Sequence, residues 1–407
     1  MGSMMLLGAS ALGLIGVELV QQKVLPGEES PWLLWGRRIR RRERLEADPG
    51  KPGIGHHAES DPGSLCPSYK DLADRLPTEN PESIRAEIQS LRFSARSEAD
   101  RIVMVCLSAC LAAQEGDRAE AVALIDEAEQ ELKKNRRPLD KSIQGIREDL
   151  FRLKLGFQLQ EGNPERVMEV AEEAESMLGK RDWIALARAE AKLVLDDPAG
   201  CRIRLEPMTN PPEDTTPESL NPRSRISALL LEAESYLREN DLEDAKSALR
   251  KIDPKQSPAD DDQIVLARLR LEIALYQGEL GVAWKQLGVL HGLLEKSPWH
   301  LGFRRTFQIS CARIHLAEGK YPEAHRRLQL AENVSIYPAA RWEYQLQLGS
   351  LLEAEDREGE AMAVWQSLSQ EAEGTYFGKI AQARLLRYRQ AVPAMSPRPE
   401  ILQPVTS

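Results

Sequence analysis

The stretch AEGKYPEA, residues 317–324, decides the architecture. A Gly followed five residues later by Ala would mark a single turn between two helices if it occurred once. Here it recurs, as AQEGDRAEA at 113–121, QEGNPERV at 160–167, RENDLEDA at 238–245, YQGELGVA at 276–283 and EDREGEA at 355–361. The closing residues Ala121, Val167, Ala245, Ala283, Ala324 and Ala361 are separated by 46, 78, 38, 41 and 37 residues. The interval of 78 holds two periods, so a degenerate unit is expected near 183–210. Self-similarity at such a period is the signature of a stacked repeat.

The flanks of each turn share a pattern. Seven residues before the turn lie Ala109, Leu155, Ala233, Leu271, Ala312 and Gly349, mostly small. Four residues after the closing position come Ile125, Ala171, Leu249, Leu287, Leu328 and Trp365. Small residues let two helices approach, and larger ones fill the groove between neighbours. Gly or Asn at the turn takes the left-handed backbone that ends one helix. Asp or Pro directly after it starts the next.

These units resemble tetratricopeptide (TPR) repeats. The best copies are LEAESYLRENDLEDAKSALRKIDP (231–254) and SCARIHLAEGKYPEAHRRLQLAENVSIYP (310–338). The resemblance implies an all-α, right-handed superhelical α-solenoid of TPR-like hairpins over 68–392, interrupted by a Pro-rich insertion at 207–222. GTYFGKIAQARLLRYRQ (374–390) reads as a capping helix at the open end of that stack, and 393–407 as a disordered tail.

In this family the first helix of each pair lines a concave surface that holds a peptide or a partner helix. Carried onto this register, the surface presents Cys106, Arg152, Leu230, Arg268, Ile309 and Leu346 ten residues before the turns. Six before them stand Cys110, Gly156, Glu234, Glu272, Arg313 and Ser350. The candidate partner-binding residues are therefore Arg152, Glu234, Arg268, Glu272 and Arg313. Two readings of them stand side by side. Arginines on successive units suit the carboxylates of an acidic partner segment, and equally suit internal pairing with Glu234 and Glu272. The Lys and Asn with which chaperone-binding members clamp a C-terminal carboxylate do not occupy these positions.

Ahead of the repeats the sequence changes character. Met4 to Val20 is apolar on every side, with Glu18 its one charge. Seventeen residues at about 1.5 Å each reach the short end of a bilayer span. Residues 1–22 are thus read as a single apolar helix, an uncleaved membrane anchor or, alternatively, a cleaved export signal. In 23–45, Trp32 and Trp35 suit the interface, and Arg37, Arg38, Arg40, Arg41 and Arg42 follow. That charge asymmetry places the repeats on the cytoplasmic side of a single-pass anchor, and the same arginines suit anionic lipid. Residues 46–67 are dense in Gly and Pro and read as a flexible linker. Within them GIGHHA (53–58) matches a dinucleotide fingerprint without the strand that such a site requires. In layout the chain resembles bacterial inner-membrane repeat proteins that regulate envelope assembly.

The function classes narrow accordingly. A formal net charge of -10 argues against general nucleic-acid binding. No phosphate-binding loop, HExxH or Gly-x-Ser-x-Gly sequence is present, so no catalytic residue, metal, cofactor or small-molecule substrate is expected. Cys106 and Cys110 stand one turn apart with no third ligand nearby in sequence, which favours a packed position. The expectation is a non-catalytic, membrane-anchored scaffold that binds other proteins. An exported repeat protein is the alternative.

Overall fold

Every turn residue picked out above ends a helix. The computed structural model describes residues 79–391, apart from 96, 135–140, 212–220, 253–259, 297–299 and 336, together with Leu72, Arg75 and Leu76. The stretches read above as anchor, Arg-rich segment, linker and tail lie outside the described residues.

Sixteen helices occupy the described residues. They are α1 (Pro81–Ser94), α2 (Glu98–Glu115), α3 (Arg118–Lys134), α4 (Lys141–Gln160), α5 (Pro164–Leu178), α6 (Asp182–Val194), α7 (Pro198–Thr209) and α8 (Pro222–Arg238). They continue as α9 (Leu242–Arg250), α10 (Asp260–Tyr276), α11 (Leu280–Lys296), α12 (Leu301–Ala317), α13 (Tyr321–Glu332), α14 (Pro338–Ala354), α15 (Glu358–Glu371) and α16 (Tyr376–Ala391). From α2 onward they pair as antiparallel hairpins. The even-numbered helices also touch one another in succession from α2 to α16, so they form an inner row. The architecture is an all-α, repeat-like stack of helix pairs.

One turn chemistry builds all seven hairpins. Gly116, Gly162, Gly278 and Gly319 have φ between +70° and +88°, while Asp196, Asn240 and Asp356 are left-handed at 59°, 61° and 58°. In each, the next residue's N–H reaches back to a carbonyl of the helix just ended: Asp117 to Ala112, Asp197 to Lys192, Asp241 to Tyr236, Lys320 to His315. This is the Schellman closure, which satisfies carbonyls left open at a helix end. The residue that makes the bond then caps the next helix where it can: Asn163, Asp197 and Asp241 accept from Arg166, Gly200 and Asp244 N–H groups. The degenerate unit is α6–α7, turned by Asp196. Cys201 fills its closing position, fully buried like Ala121, Val167 and Ala245.

Packing follows the small-and-large pattern. A Cβ on Gly349 would stand 2.5 Å from the Trp365 ring, so that buried indole requires the glycine opposite it. Pro207 lies inside the last turn of α7, which forgoes the hydrogen bond its missing backbone donor would have made to the carbonyl four residues earlier.

The end of the stack does not stand free. The starts of α14 and α16 rest on the turn ends of α2, α4, α6 and α8. Tyr337 donates its hydroxyl to the Ala113 carbonyl at 2.8 Å, across 224 residues of sequence, and its ring meets Phe157 edge-on. Trp342 covers Gly162. Val194 shares a buried cluster with Trp342 and Phe377, and Lys379 reaches Asp196 at 3.0 Å. The coil therefore returns onto its own first units. α16, expected as the cap of an open end, is one face of this return contact.

Candidate functional site

The inner row carries its charges inward. On α8, Glu234 and Arg238 pair one turn apart at 3.2 Å. Arg268 on α10 bridges Glu234 at 2.7 Å and Glu272, its own neighbour one turn on, at 2.8 Å. Arg313 on α12 closes on the same Glu272 oxygen at 2.7 Å. The result is a ladder, Arg238–Glu234–Arg268–Glu272–Arg313, across three consecutive inner helices. Beside it Arg305 of α12 meets Glu343 of α14 at 3.3 Å.

This ladder is interior. Glu234, Arg268, Glu272 and Arg313 are 4%, 3%, 1% and 4% exposed. In this closed arrangement the four are buried and paired with one another, which is the arrangement the internal-pairing reading describes. The ring of Tyr376, at the start of α16, lies 4.2 Å from the Arg238 guanidinium. Arg152 stands apart from the ladder. It pairs within α4 with Glu148 at 2.6 Å and Asp149 at 3.3 Å, and lies over Trp183 of α6. Trp32, Trp35 and the arginines from Arg37 to Arg42 lie outside the described residues.

Burial and pairing set the protonation states. Burial pushes the Glu234 carboxyl up, but Arg268 and Arg238 outweigh it and hold the pKa below its ordinary value. For Arg268 burial opposes the charge, and Glu234, Glu272 and Glu343 overcome it and raise the pKa. Glu343 goes the other way: burial dominates over Arg305 and Arg268, and its pKa is raised. Glu343, beside the ladder, thus shifts in the opposite direction to the ladder carboxylate Glu234.

The cysteines among the described residues are buried side chains. Burial pushes the Cys106 thiol up to about 12 and raises Cys110 and Cys201 as well, so none of the three is an activated nucleophile. Among the described residues no group of three or more His, Cys, Asp or Glu is placed to hold a metal ion. No helix among them is long and apolar enough to cross a membrane.

Sequence reasoning found the register of the face but missed Arg238, Arg305, Glu343 and Tyr376. Arg305 and Glu343 were within reach, since they continue the same helical face one turn nearer the start of α12 and α14. Tyr376 was not, because only the return of α16 brings it to Arg238. The sequence matches no protein-family model and no curated protein.

Proposed function

We propose that this chain is a non-catalytic, membrane-anchored, TPR-like scaffold, a right-handed superhelix whose inner face receives an acidic segment of a partner protein. The observation that carries the reading is the ladder: arginines on three successive inner helices, each set for carboxylate pairing at 2.7–3.2 Å. A guanidinium recognises a carboxylate through paired, charge-assisted hydrogen bonds. A buried ion pair is weak support for stability by itself, and its best-attested use is in specificity or switching. The apolar stretch from Met4 to Val20 and the arginines after it supply the tether, with the repeats on the cytoplasmic side. The assembly served is a membrane-associated complex.

Site-specific photo-crosslinking in cells tests this. A crosslinking residue at Ser350, half-buried on the inner face of α14, is compared with one at Val289, exposed on the outer helix α11. Proteins captured from position 350 and absent at 289 support the reading. The same set at both positions, or none at 350, contradicts it.

A further inference from the structure

We infer that the return contact is a gate: the starts of α14 and α16 part from the turn ends of α2–α8, and the coil extends to admit a partner to the ladder. The inference rests on the reading of the inner face just given and adds its regulation.

The seam is separable from the stack. Every hairpin, and every step along the inner row, joins elements that are neighbours in the chain. A stack of this kind is held unit by unit through nearest-neighbour interfaces. Parting the seam breaks none of them. It gives up the Tyr337–Ala113 hydrogen bond, the Tyr337–Phe157 edge contact and the burial of Tyr337 and Ala340 in the core of the first unit. It also gives up the Trp342 contact with Gly162, the packing of Val194 with Trp342 and Phe377, the Lys379–Asp196 pair and the stacking of Tyr376 on Arg238. The closed and extended coils are therefore two discrete arrangements of the same hairpins, differing at one interface.

The gate lies over the ladder. Tyr376 stands on Arg238, the ladder's first guanidinium, and its position is fixed by a start of α16 that Lys379 pins to Asp196 and to the Leu195 carbonyl. Arg238 itself donates to the Leu193 carbonyl at the end of α6 and bonds Glu234. Withdrawal of α16 uncovers this end of the ladder, while Arg268, Glu272 and Arg313 keep one another paired until a competing carboxylate arrives. The contact is autoinhibitory: the closed coil satisfies with its own residues the groups that a partner would use.

The native thiols report on the gate without any partner. Cys106 and Cys110 belong to the core cluster that Tyr337 and Ala340 complete, whereas Cys201 and Cys311 are buried in other clusters. Maleimide labelling of the full chain, with each site followed by mass spectrometry, gives separate rates for Cys106, Cys110, Cys201 and Cys311, while the fifth cysteine, Cys66, lies outside the described residues. Opening at the seam exposes Cys106 and Cys110 ahead of Cys201 and Cys311, as expected of a sub-global motion. Trp342→Ala raises the first two rates about tenfold and leaves the other two unchanged. In a second arm a carbodiimide condenses the Asp196 carboxyl with the Lys379 amine into an amide, the reagent leaving as its urea. Chains carrying this link label more slowly at Cys106 and Cys110 alone.

One common rate for all four thiols, or equal rates with and without the link, overturns the gate. Should Trp342→Ala unfold the chain, all four rates rise together, and the linked native chain still decides. These outcomes separate the two ideas. Uniform labelling removes the gate and leaves the crosslinking test of the inner face standing. A gate that opens while position 350 captures nothing removes the partner instead.

Discussion

Trp342 lies over Gly162, so that a Cβ at residue 162 would stand 2.2 Å from its indole ring. Gly162 is also the left-handed turn residue of the second hairpin, at φ +70°. One glycine thus does two jobs, ending α4 and seating the unit that returns from the far end of the stack. Gly319 has almost the same backbone, φ +72°, but open space around its Cβ position.

The pair separates backbone strain from the return contact. Gly319→Ala is expected to cost about 1 kcal/mol from the left-handed conformation alone. Gly162→Ala adds the displacement of Trp342, for a total of roughly 3 kcal/mol. Urea unfolding of both variants measures the difference. Equal losses would show that Trp342 does not press on this turn.

Two other turns carry an avoidable strain. Asn240 and Asp356 hold left-handed backbones that glycine adopts freely. Asn240→Gly and Asp356→Gly are each expected to raise stability by up to about 1 kcal/mol, read as a higher urea midpoint with an unchanged slope. A loss would mean that these side chains hold the turn by contacts of their own.

The ladder predicts a large penalty at its centre. Arg268→Met leaves Glu234 and Glu272 buried with one guanidinium fewer on each. Breaking such a pair is expected to cost roughly 3–5 kcal/mol. Calorimetry or chemical denaturation of the variant measures it. A loss within the range of an ordinary surface substitution would show the ladder to be solvated.

The two carboxylates oppose each other in acid. Because Glu234 has a folded pKa below its ordinary 4.5, its pairing contributes fully above that value and is lost as the pH falls through the folded pKa. Glu343 has a raised folded pKa, so its contribution is fully present below its ordinary value and is lost as the pH rises through the folded one. Glu234→Gln should therefore be destabilising at neutral pH and converge on the native chain as the solution is acidified. Stability curves at several pH values test this. A constant gap down to the acid limit would show that Glu234 is not the ionised partner of Arg268.

The hairpins were legible in the sequence because their determinants are local. A left-handed residue, a cap directly after it and a small residue five positions on lie within one short window, and even the degenerate unit followed from a doubled interval. Asp196 and Cys201 hid that unit, since Asp tolerates the left-handed turn and Cys packs as a small apolar residue. The face of the ladder was legible too, as spacing from each turn. Its closure was not. Whether an inner face is an open groove or a filled axis depends on how far the coil rises per unit, and no window contains that quantity. Tyr337 and Ala113 are as ordinary in sequence as any phenol and any carbonyl.

The return of the coil onto its own first units is the claim on which the buried ladder and the gate both depend. Carbodiimide crosslinking of the full chain, mapped by mass spectrometry, tests it most directly. Lys379 and Asp196 stand 3.0 Å apart across the seam. Lys192 and Asp197 stand 3.0 Å apart within one hairpin and serve as the control. A closed coil yields both links, and Lys379→Arg removes only the first. The Lys192–Asp197 link without the Lys379–Asp196 link would show a stack whose ends never meet.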